Sequence, residues 1–286
     1  MKKIKVLALC AIVAGFSTSC EKSDVASEAQ PEAVTESISK EHKDALWSLN
    51  VNPSDAKYTT LKHLGGEPYE AILAGDIAIA LDKIVQQKNA DINSKQYRTT
   101  NLVNRNTTIR VTGWTGGGNA LTTRMRTGLQ WAVNNYNALN NFSLNFVLTF
   151  GTDQGNNVDM VVYNANGSGV GGQAEFPSGG RSGKYIMIFG GMASESNNVN
   201  EHVIGHEMGH ALGLRHTDYA RRRCRDGSNE ENPPSGFGAI HIPGTPTANR
   251  WGQSGLDSGS LMISCFDGSE DGEFSSNDIR ALQFLY

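Results

Sequence analysis

The chain lacks several features that would place it in a familiar class. Beyond its first twenty residues, no apolar run reaches the roughly 18–20 residues that a membrane-spanning helix needs. The net charge of −4 gives no basic surplus for nucleic acid, and the 32 glycines show no Gly-X-Y period. Only four cysteines and eight prolines occur in 286 residues. These absences exclude a multi-span membrane protein, a nucleic-acid-binding protein and a collagen. They favour a loop-rich globular enzyme or binding domain.

The first twenty residues have the pattern of an export signal. Lys2, Lys3 and Lys5 precede an apolar stretch at 6–16, small residues follow, and Cys20 ends the segment. This ending resembles the lipobox of bacterial lipoproteins, although Ser17 stands where an aliphatic residue is usual. We predict a bacterial cell-envelope lipoprotein that touches the membrane only through a lipid on Cys20. The alternative is ordinary cleavage to a free secreted protein.

Composition divides the remaining chain into three regions. Residues 21–57 are polar and poor in aromatics, which predicts a flexible tether. Residues 58–97 carry a short apolar pattern, and we interpret them as a pro-segment. From residue 98 onward the basic residues are almost all arginine, with 13 Arg and one Lys over 98–286. We predict a catalytic domain over these last residues.

Two cysteines, Cys224 and Cys265, lie outside the signal. In an exported chain they most simply form one disulfide bond. Two free thiols, or a pair of soft metal ligands, are the alternatives.

The region 98–286 alternates between strand and helix patterns. Apolar residues spaced three and four apart predict helices over 119–139 and 197–213, and Ser275 or Ser276 can begin a last helix. Period-two or short apolar patterns predict strands over 107–114, 142–150, 158–163, 173–177 and 184–189. This order predicts an α+β fold in which helices pack on a mixed, twisted sheet.

One short segment, EHVIGHEMGHALGLRHTD at 201–218, carries the chemistry. His206 and His210 are four residues apart on the predicted helix, so both project from one face. Gly213 can end the helix in a left-handed conformation and let the chain return His216 to the same place. Three imidazoles with an open fourth position are typical of one catalytic zinc ion, and Glu207 can reach a water there as a general base. His202 is followed by Val203 rather than a base, so we interpret it as an outer or surface residue.

The eleven residues from His206 to His216 match the metzincin signature HExxHxxGxxH, and this stretch resembles that family. SLMIS at 260–264 resembles the metzincin Met-turn, which implies that Met262 lies beneath the metal. The segments 168–177 and 274–286 resemble the edge strand and last helix of matrixin-type enzymes. HEMGH followed by RHTD looks closest to the bacterial dual-action HEIGH metallopeptidases. The resemblance covers residues 98–286 and implies a zincin fold with an active-site helix, a Met-turn and a C-terminal helix.

The chain departs from astacins, which are also metzincins. Thr217 stands where astacins have Glu, and Ser264 stands where they have a metal-binding Tyr. LAGDI at 73–77 nevertheless resembles the astacin propeptide motif, which implies that Asp76 blocks the zinc and keeps the enzyme latent. The alternative is that the Gly-Asp pair only forms a turn or a helix cap.

The resemblance implies a substrate as well as a metal. We expect an extended protein or peptide substrate to pair with the edge strand formed by Gly172, Gln173, Ala174, Glu175 and Phe176. Four arginines at 221, 222, 223 and 225 either select acidic residues on the C-terminal side of the cleaved bond or line a solvated loop. No motif supports a structural calcium ion, and we expect a monomer.

The predicted function is a zinc-dependent endopeptidase acting on extracellular proteins. The alternative is a surface lipoprotein whose zinc domain binds a ligand without turnover. Glu207 distinguishes the two, because a domain that only binds does not need a carboxylate at that position.

Overall fold

An eight-stranded sheet organises the residues that can be described. The computed structural model describes residues 37–49, 51–84, 98, 101–223, 230–234 and 240–286. The strands are β1 (Lys57–Leu61), β2 (Tyr69–Ala74), β3 (Ile77–Ala80), β4 (Thr108–Trp114), β5 (Asn145–Gly151), β6 (Met160–Asn166), β7 (Gly172–Glu175) and β8 (Tyr185–Phe189). The helices are α1 (Lys40–Ser48), α2 (Leu81–Ile84), α3 (Thr123–Ala138), α4 (Asn197–Leu212) and α5 (Ser276–Leu285). Among them, none is long and apolar enough to cross a membrane.

The sheet mixes parallel and antiparallel pairs, in the spatial order β1-β2-β3-β7-β8-β6-β4-β5. β5, β4, β6 and β8 run parallel to one another, and β7 runs antiparallel to β8. The expected mixed sheet with packed helices is therefore confirmed. The predicted strands over 98–286 all occur, with ends that differ by no more than three residues.

Helices α3 and α4 pack together against the sheet. Every residue of α4 from Val199 to Leu212 is buried, and the Ser196 side chain caps its start. Its end is set by Gly213, whose φ of 116° lies in the left-handed region as expected. Helix α3 begins at Thr123 rather than at 119, because a short 3₁₀ turn precedes it and the Thr122 side chain accepts a hydrogen bond from the Met125 amide.

The predicted flexible tether over 21–57 is wrong in its second half. Residues 40–48 form helix α1, which buries Ala45, Leu46 and Trp47. The polar composition concealed this helix, because only a few apolar residues lie among Lys and Glu yet all of them face inward. The signal and the beginning of the tether lie outside the described residues.

The predicted pro-segment contributes to the same sheet as the predicted catalytic domain. Strands β1, β2 and β3 form an antiparallel meander, and β3 pairs in parallel with β7 through Ile77 opposite Ala174. Residues 85–97 lie outside the described residues, so the predicted boundary at 98 stays a prediction.

A close approach of α3 to α4 predicts a stability effect. A Cβ at Gly128 would lie 2.7 Å from the backbone carbon of Asn200 and 2.7 Å from the backbone nitrogen of Glu201. Gly128→Ala should lower the free energy of unfolding by about 1–3 kcal/mol, although alanine is the better helix former. Urea unfolding measures the change. Gly118→Ala is the control, because nothing lies within 4 Å of its Cβ position. Equal stability of the two variants would contradict the prediction.

Candidate metal centre

Three histidine side chains converge at the end of α4. His206 and His210 project from one face of the helix, and the turn at Gly213 brings His216 back towards them. The Nε2 atom of His216 lies 3.2 Å from that of His206 and 3.1 Å from that of His210. A side chain at position 213 would collide with Leu102 at 2.8 Å, so glycine serves both the turn and the packing.

Backbone carbonyls fix the protonation of two of these rings. The Nδ1 atom of His206 donates to the Leu261 carbonyl at 2.7 Å, and that of His210 donates to the Leu214 carbonyl at 2.9 Å. Since a carbonyl only accepts, the ring proton sits on Nδ1 and the Nε2 lone pair faces the cluster. Burial, together with the charge of His206, also holds the pKa of His210 well below its ordinary value. Neutral imidazoles are the form that binds a metal.

The spacing of the nitrogens fits a tetrahedral ion. Zinc binds imidazole nitrogen at about 2.0–2.1 Å, which puts two ligand nitrogens of a tetrahedron about 3.3 Å apart. The observed separations of 3.1 and 3.2 Å are close to this value. Lone pairs held this near one another repel unless a cation lies among them. The residues present therefore fit a metal ion.

Asp76 supplies a fourth group to the cluster. Its Oδ2 lies 3.0 Å from Nε2 of His216 and 3.4 Å from Nε2 of His206, and its Oδ1 lies 3.6 Å from Nε2 of His210. Burial by itself raises the pKa of Asp76, but the neighbouring histidines, His216 first, hold it well below its usual range. The tight turn between β2 and β3, with Gly75 at a φ of 64°, aims this carboxylate at the three nitrogens.

Glu207 lies beside the cluster, against strand β7. Its side chain is buried, and its Oε2 atom has no hydrogen-bond partner among the described residues. A Cβ at Gly172 would lie 2.8 Å from Cγ and 2.9 Å from Oε1 of Glu207. The missing side chain of Gly172 thus makes room for the carboxylate. Burial and the charge of Asp76 raise the pKa of Glu207 well above its ordinary value.

Met262 packs directly under the histidine helix. Its sulfur lies 2.5 Å from the position that a Cβ of Gly209 would take, so a side chain at 209 and this methionine cannot coexist. Its carbonyl accepts a hydrogen bond from the Thr217 amide at 2.9 Å, next to His216. Met262 thereby contacts the middle of the metal-binding motif and the residue that follows its last histidine.

Asp278, at the start of α5, holds that segment in place. It accepts hydrogen bonds from the Ser260 hydroxyl at 2.6 Å and the Leu261 amide at 2.7 Å, while Ser275 caps the helix. The Leu261 carbonyl in turn orients His206. This role of Asp278 was not predicted from the sequence. The Ser-x-x-Asp spacing indicates a helix start, but no local pattern reveals the contact with residue 261.

The predicted substrate strand belongs to the site, but its edge is already paired. Gly172 lines a cavity of about 220 Å³ together with Asp76, Glu207 and the metal-facing histidines His206 and His216. On the outer edge of β7, the Ala174 amide donates to the Asp76 carbonyl at 3.2 Å.

The last residue of β7, Glu175, and the residue after it, Phe176, contact side chains from other segments. The Glu175 carboxylate pairs with His63 at 2.9 Å. Phe176 lies under the guanidinium of Arg215, at 3.1 Å from the ring centre, and Arg215 donates to the Leu49 carbonyl. We call the residues before 98 the N-terminal segment. Its residues Leu49, Asp55 and Asp76 contact side chains of the site.

Several residues that were predicted to be functional lie apart from the histidine cluster or outside the described residues. His202 is buried and lines the cavity, with its ring 6.3 Å from that of His206, and burial lowers its pKa to about 3. Cys20 and Cys224 lie outside the described residues. The lipid on Cys20 and the bond between Cys224 and Cys265 remain predictions.

Comparison with known proteins identifies the class. The chain is a metallopeptidase, because residues 71–286 match the family model described as dual-action HEIGH metallo-peptidase, over well more than half of the chain. The protein belongs to this family, as its motif indicated, and the matched region includes Asp76. No curated protein matches the chain.

Solved structures of myroilysin are also similar. One, "Structure of Myroilysin", is 14% identical over 70% of this chain and 87% of that chain, with a TM-score of 0.38. A second, "Crystal structure of myroilysin", is 15% identical over 69% and 93%, also with a TM-score of 0.38.

The role of Asp278 can be tested. In Asp278→Asn one of the two accepting oxygens becomes an NH₂ group, so either the Ser260 hydroxyl or the backbone amides of Leu261 and Ser275 lose their acceptor. We expect a loss of about 1–3 kcal/mol in the free energy of unfolding and a 10- to 100-fold weaker metal affinity, since His206 loses its support. Urea unfolding of metal-free protein and a chelator-competition titration measure the two effects. Asp271→Asn, at an exposed position, should change neither. Unaltered metal affinity in Asp278→Asn would rule out the positioning role.

Proposed function

We propose that this metallopeptidase is an exported, zinc-dependent endopeptidase that is made in a latent form. The observation that carries the proposal is the convergence of three histidine Nε2 atoms on Asp76, with the carboxylate of Glu207 beside them. Zinc is favoured over other metals because three neutral imidazoles and one further position match its catalytic sites. Calcium and magnesium prefer oxygen ligands and do not suit this set.

Glu207 is the residue that moves protons in this proposal. A zinc ion held by His206, His210 and His216 would act as a Lewis acid toward water and the carbonyl of the bond to be cleaved. Glu207 accepts the proton of the attacking water and later returns one to the leaving amine. Its burial and its unpaired Oε2 support this role, because a carboxylate without a structural partner is free to take up a proton.

The substrate is proposed to be an extended peptide that pairs with β7. The edge of this strand already forms backbone hydrogen bonds with another segment of the chain, as a substrate would. In the full chain that segment is β3, so a bound substrate and the N-terminal segment exclude each other.

Latency follows from the same contacts. Asp76 occupies the position that a water or a substrate carbonyl would need, and β3 occupies the substrate edge. We propose that activation requires removal of the N-terminal segment. Export, and attachment through a lipid on Cys20, belong to the same proposal and rest on the pattern of the first twenty residues.

The proposed base gives a direct test. Glu207→Ala, in protein freed of its N-terminal segment, should reduce the cleavage of an unfolded protein by about 10²- to 10⁴-fold and leave the bound metal in place. A zymogram and metal analysis by mass spectrometry measure the two. Glu195→Ala, near the start of α4, is the matched control and should keep both. If the freed wild-type protein cleaves nothing, the alternative of a binding lipoprotein without turnover is preferred.

The blocking role of Asp76 gives a second test. Full-length Asp76→Ala should hydrolyse, without processing, a peptide that is too short to pair with β7, because the position next to the histidines becomes accessible while β3 still covers the strand edge. Asp82→Ala, an exposed carboxylate in α2, should remain as latent as wild type. A continuous fluorogenic assay with processing followed on gels measures this. A variant that still needs processing as much as wild type would show that Asp76 does not block the site.

A further inference from the structure

Three of the four arginines that follow the metal-binding motif are described, and they have different surroundings. Arg221 is exposed, and Arg223 pairs with Asp267 and Glu270 in the loop before α5. Arg225 lies outside the described residues. Arg222 alone of the described three is buried, at 3% exposure, and it lines the cavity that also contains the metal-facing groups.

Two carboxylates contact the Arg222 side chain, one from a residue that follows it in the sequence and one from the N-terminal segment. Glu230, eight residues further on, accepts from the Arg222 backbone amide at 2.6 Å and from its Nε at 2.7 Å. Asp55 accepts from Nη2 at 3.1 Å. Glu230 therefore fixes one edge of the guanidinium, and the other edge faces the N-terminal segment.

The same edge of Arg222 reaches the turn that carries the blocking carboxylate. Its Nη1 lies 3.0 Å from the position that a Cβ of Gly75 would take, and Gly75 directly precedes Asp76. A group bound at this edge is therefore about one residue away from the position in front of the histidines. Any peptide that replaces the N-terminal segment in the cleft would pass this guanidinium close to its cleaved bond.

Removal of the N-terminal segment would take Asp55 away from Arg222 and leave Glu230. The guanidinium then keeps its charge and presents N–H donors to the cleft, and a bound substrate that covers these donors without offering an acceptor costs free energy. A carboxylate suits them best, because an arginine edge and a carboxylate form parallel, charge-assisted hydrogen bonds.

We propose that Arg222 selects substrates that carry an Asp or Glu side chain next to the cleaved bond, on its C-terminal side, and that Asp55 occupies this position in the full chain. The proposal rests on the endopeptidase function proposed above. The N-terminal segment then makes a pair of substrate-like contacts in one cavity, Asp55 on the arginine and Asp76 on the histidines. A neutral or basic side chain leaves the Arg222 donors unpaired and is cleaved more slowly.

The test uses the full-length protein after limited trypsin treatment, with loss of the residues upstream of 98 checked by mass spectrometry and the trypsin then inhibited. Cleavage of a proteome-derived peptide library should show enrichment of Asp and Glu next to the cleaved bond. For paired peptides that differ by Asp or Asn at that position, kcat/KM should differ by about 10- to 100-fold.

Arginine variants test which side chain causes the preference for an acidic residue. Arg222→Gln should lose most of the Asp-over-Asn ratio while it still cleaves the Asn peptide, and Arg222→Lys, which keeps the charge, should retain some of it. Arg221→Gln, at the exposed neighbour, should keep the wild-type ratio. Folding of each variant is checked by circular dichroism.

The outcomes separate this proposal from the endopeptidase function. Cleavage by the treated wild-type protein without acidic enrichment overturns the role of Arg222 and leaves the endopeptidase function standing, and this result does not depend on the folding of any variant. An unchanged ratio in folded Arg222→Gln also overturns the role. Absence of all cleavage overturns the endopeptidase function, and the substrate preference with it.

Discussion

The approach of the His206 and His210 nitrogens to within 3.2 Å of the His216 nitrogen is the constraint on which the site depends. Neutral rings hold this arrangement only if each is oriented by the surrounding protein and a cation offsets the repulsion of the lone pairs. The Leu261 and Leu214 carbonyls orient two of the rings, and the turn at Gly213 delivers the third. The segment around Met262 and the start of α5 are positioned to keep the Leu261 carbonyl in place.

The N-terminal segment presents groups that a peptide substrate also has. β3 pairs with the edge strand, the Leu49 carbonyl accepts from Arg215, and the Asp55 and Asp76 carboxylates enter the cavity. Each contact satisfies a group of the cleft that would otherwise be buried without a partner or left open to water. The latency proposed above rests on this likeness, with the Asp76 carboxylate in front of the histidines where a peptide carbonyl would react.

Prediction from the sequence succeeded where the determinants are local. The spacing of His206, His210 and Gly213 fixes which side chains share a helix face and where the helix ends, and Ser275 fixes the start of α5. Helix α1 was missed, because its buried residues are few and its stability comes from contacts with distant residues. The contact of Asp278 with Leu261 and that of Arg222 with Asp55 were also missed, since they join residues 17 and 167 positions apart.

The sequence by itself determined the chemistry of this protein: the metal-binding motif, the adjacent carboxylate and the family to which they belong. His206, Glu207 and His210 lie on one helix and His216 follows the turn that ends it, so local backbone geometry brings them to one end of that helix. Only the tertiary structure decided which groups from the N-terminal segment lie opposite the motif residues. The β3–β7 pairing brings Asp76 to the histidines and Asp55 into the same cleft. Burial separates Arg222 from its exposed neighbour Arg221, and burial depends on packing between distant segments that no local pattern records.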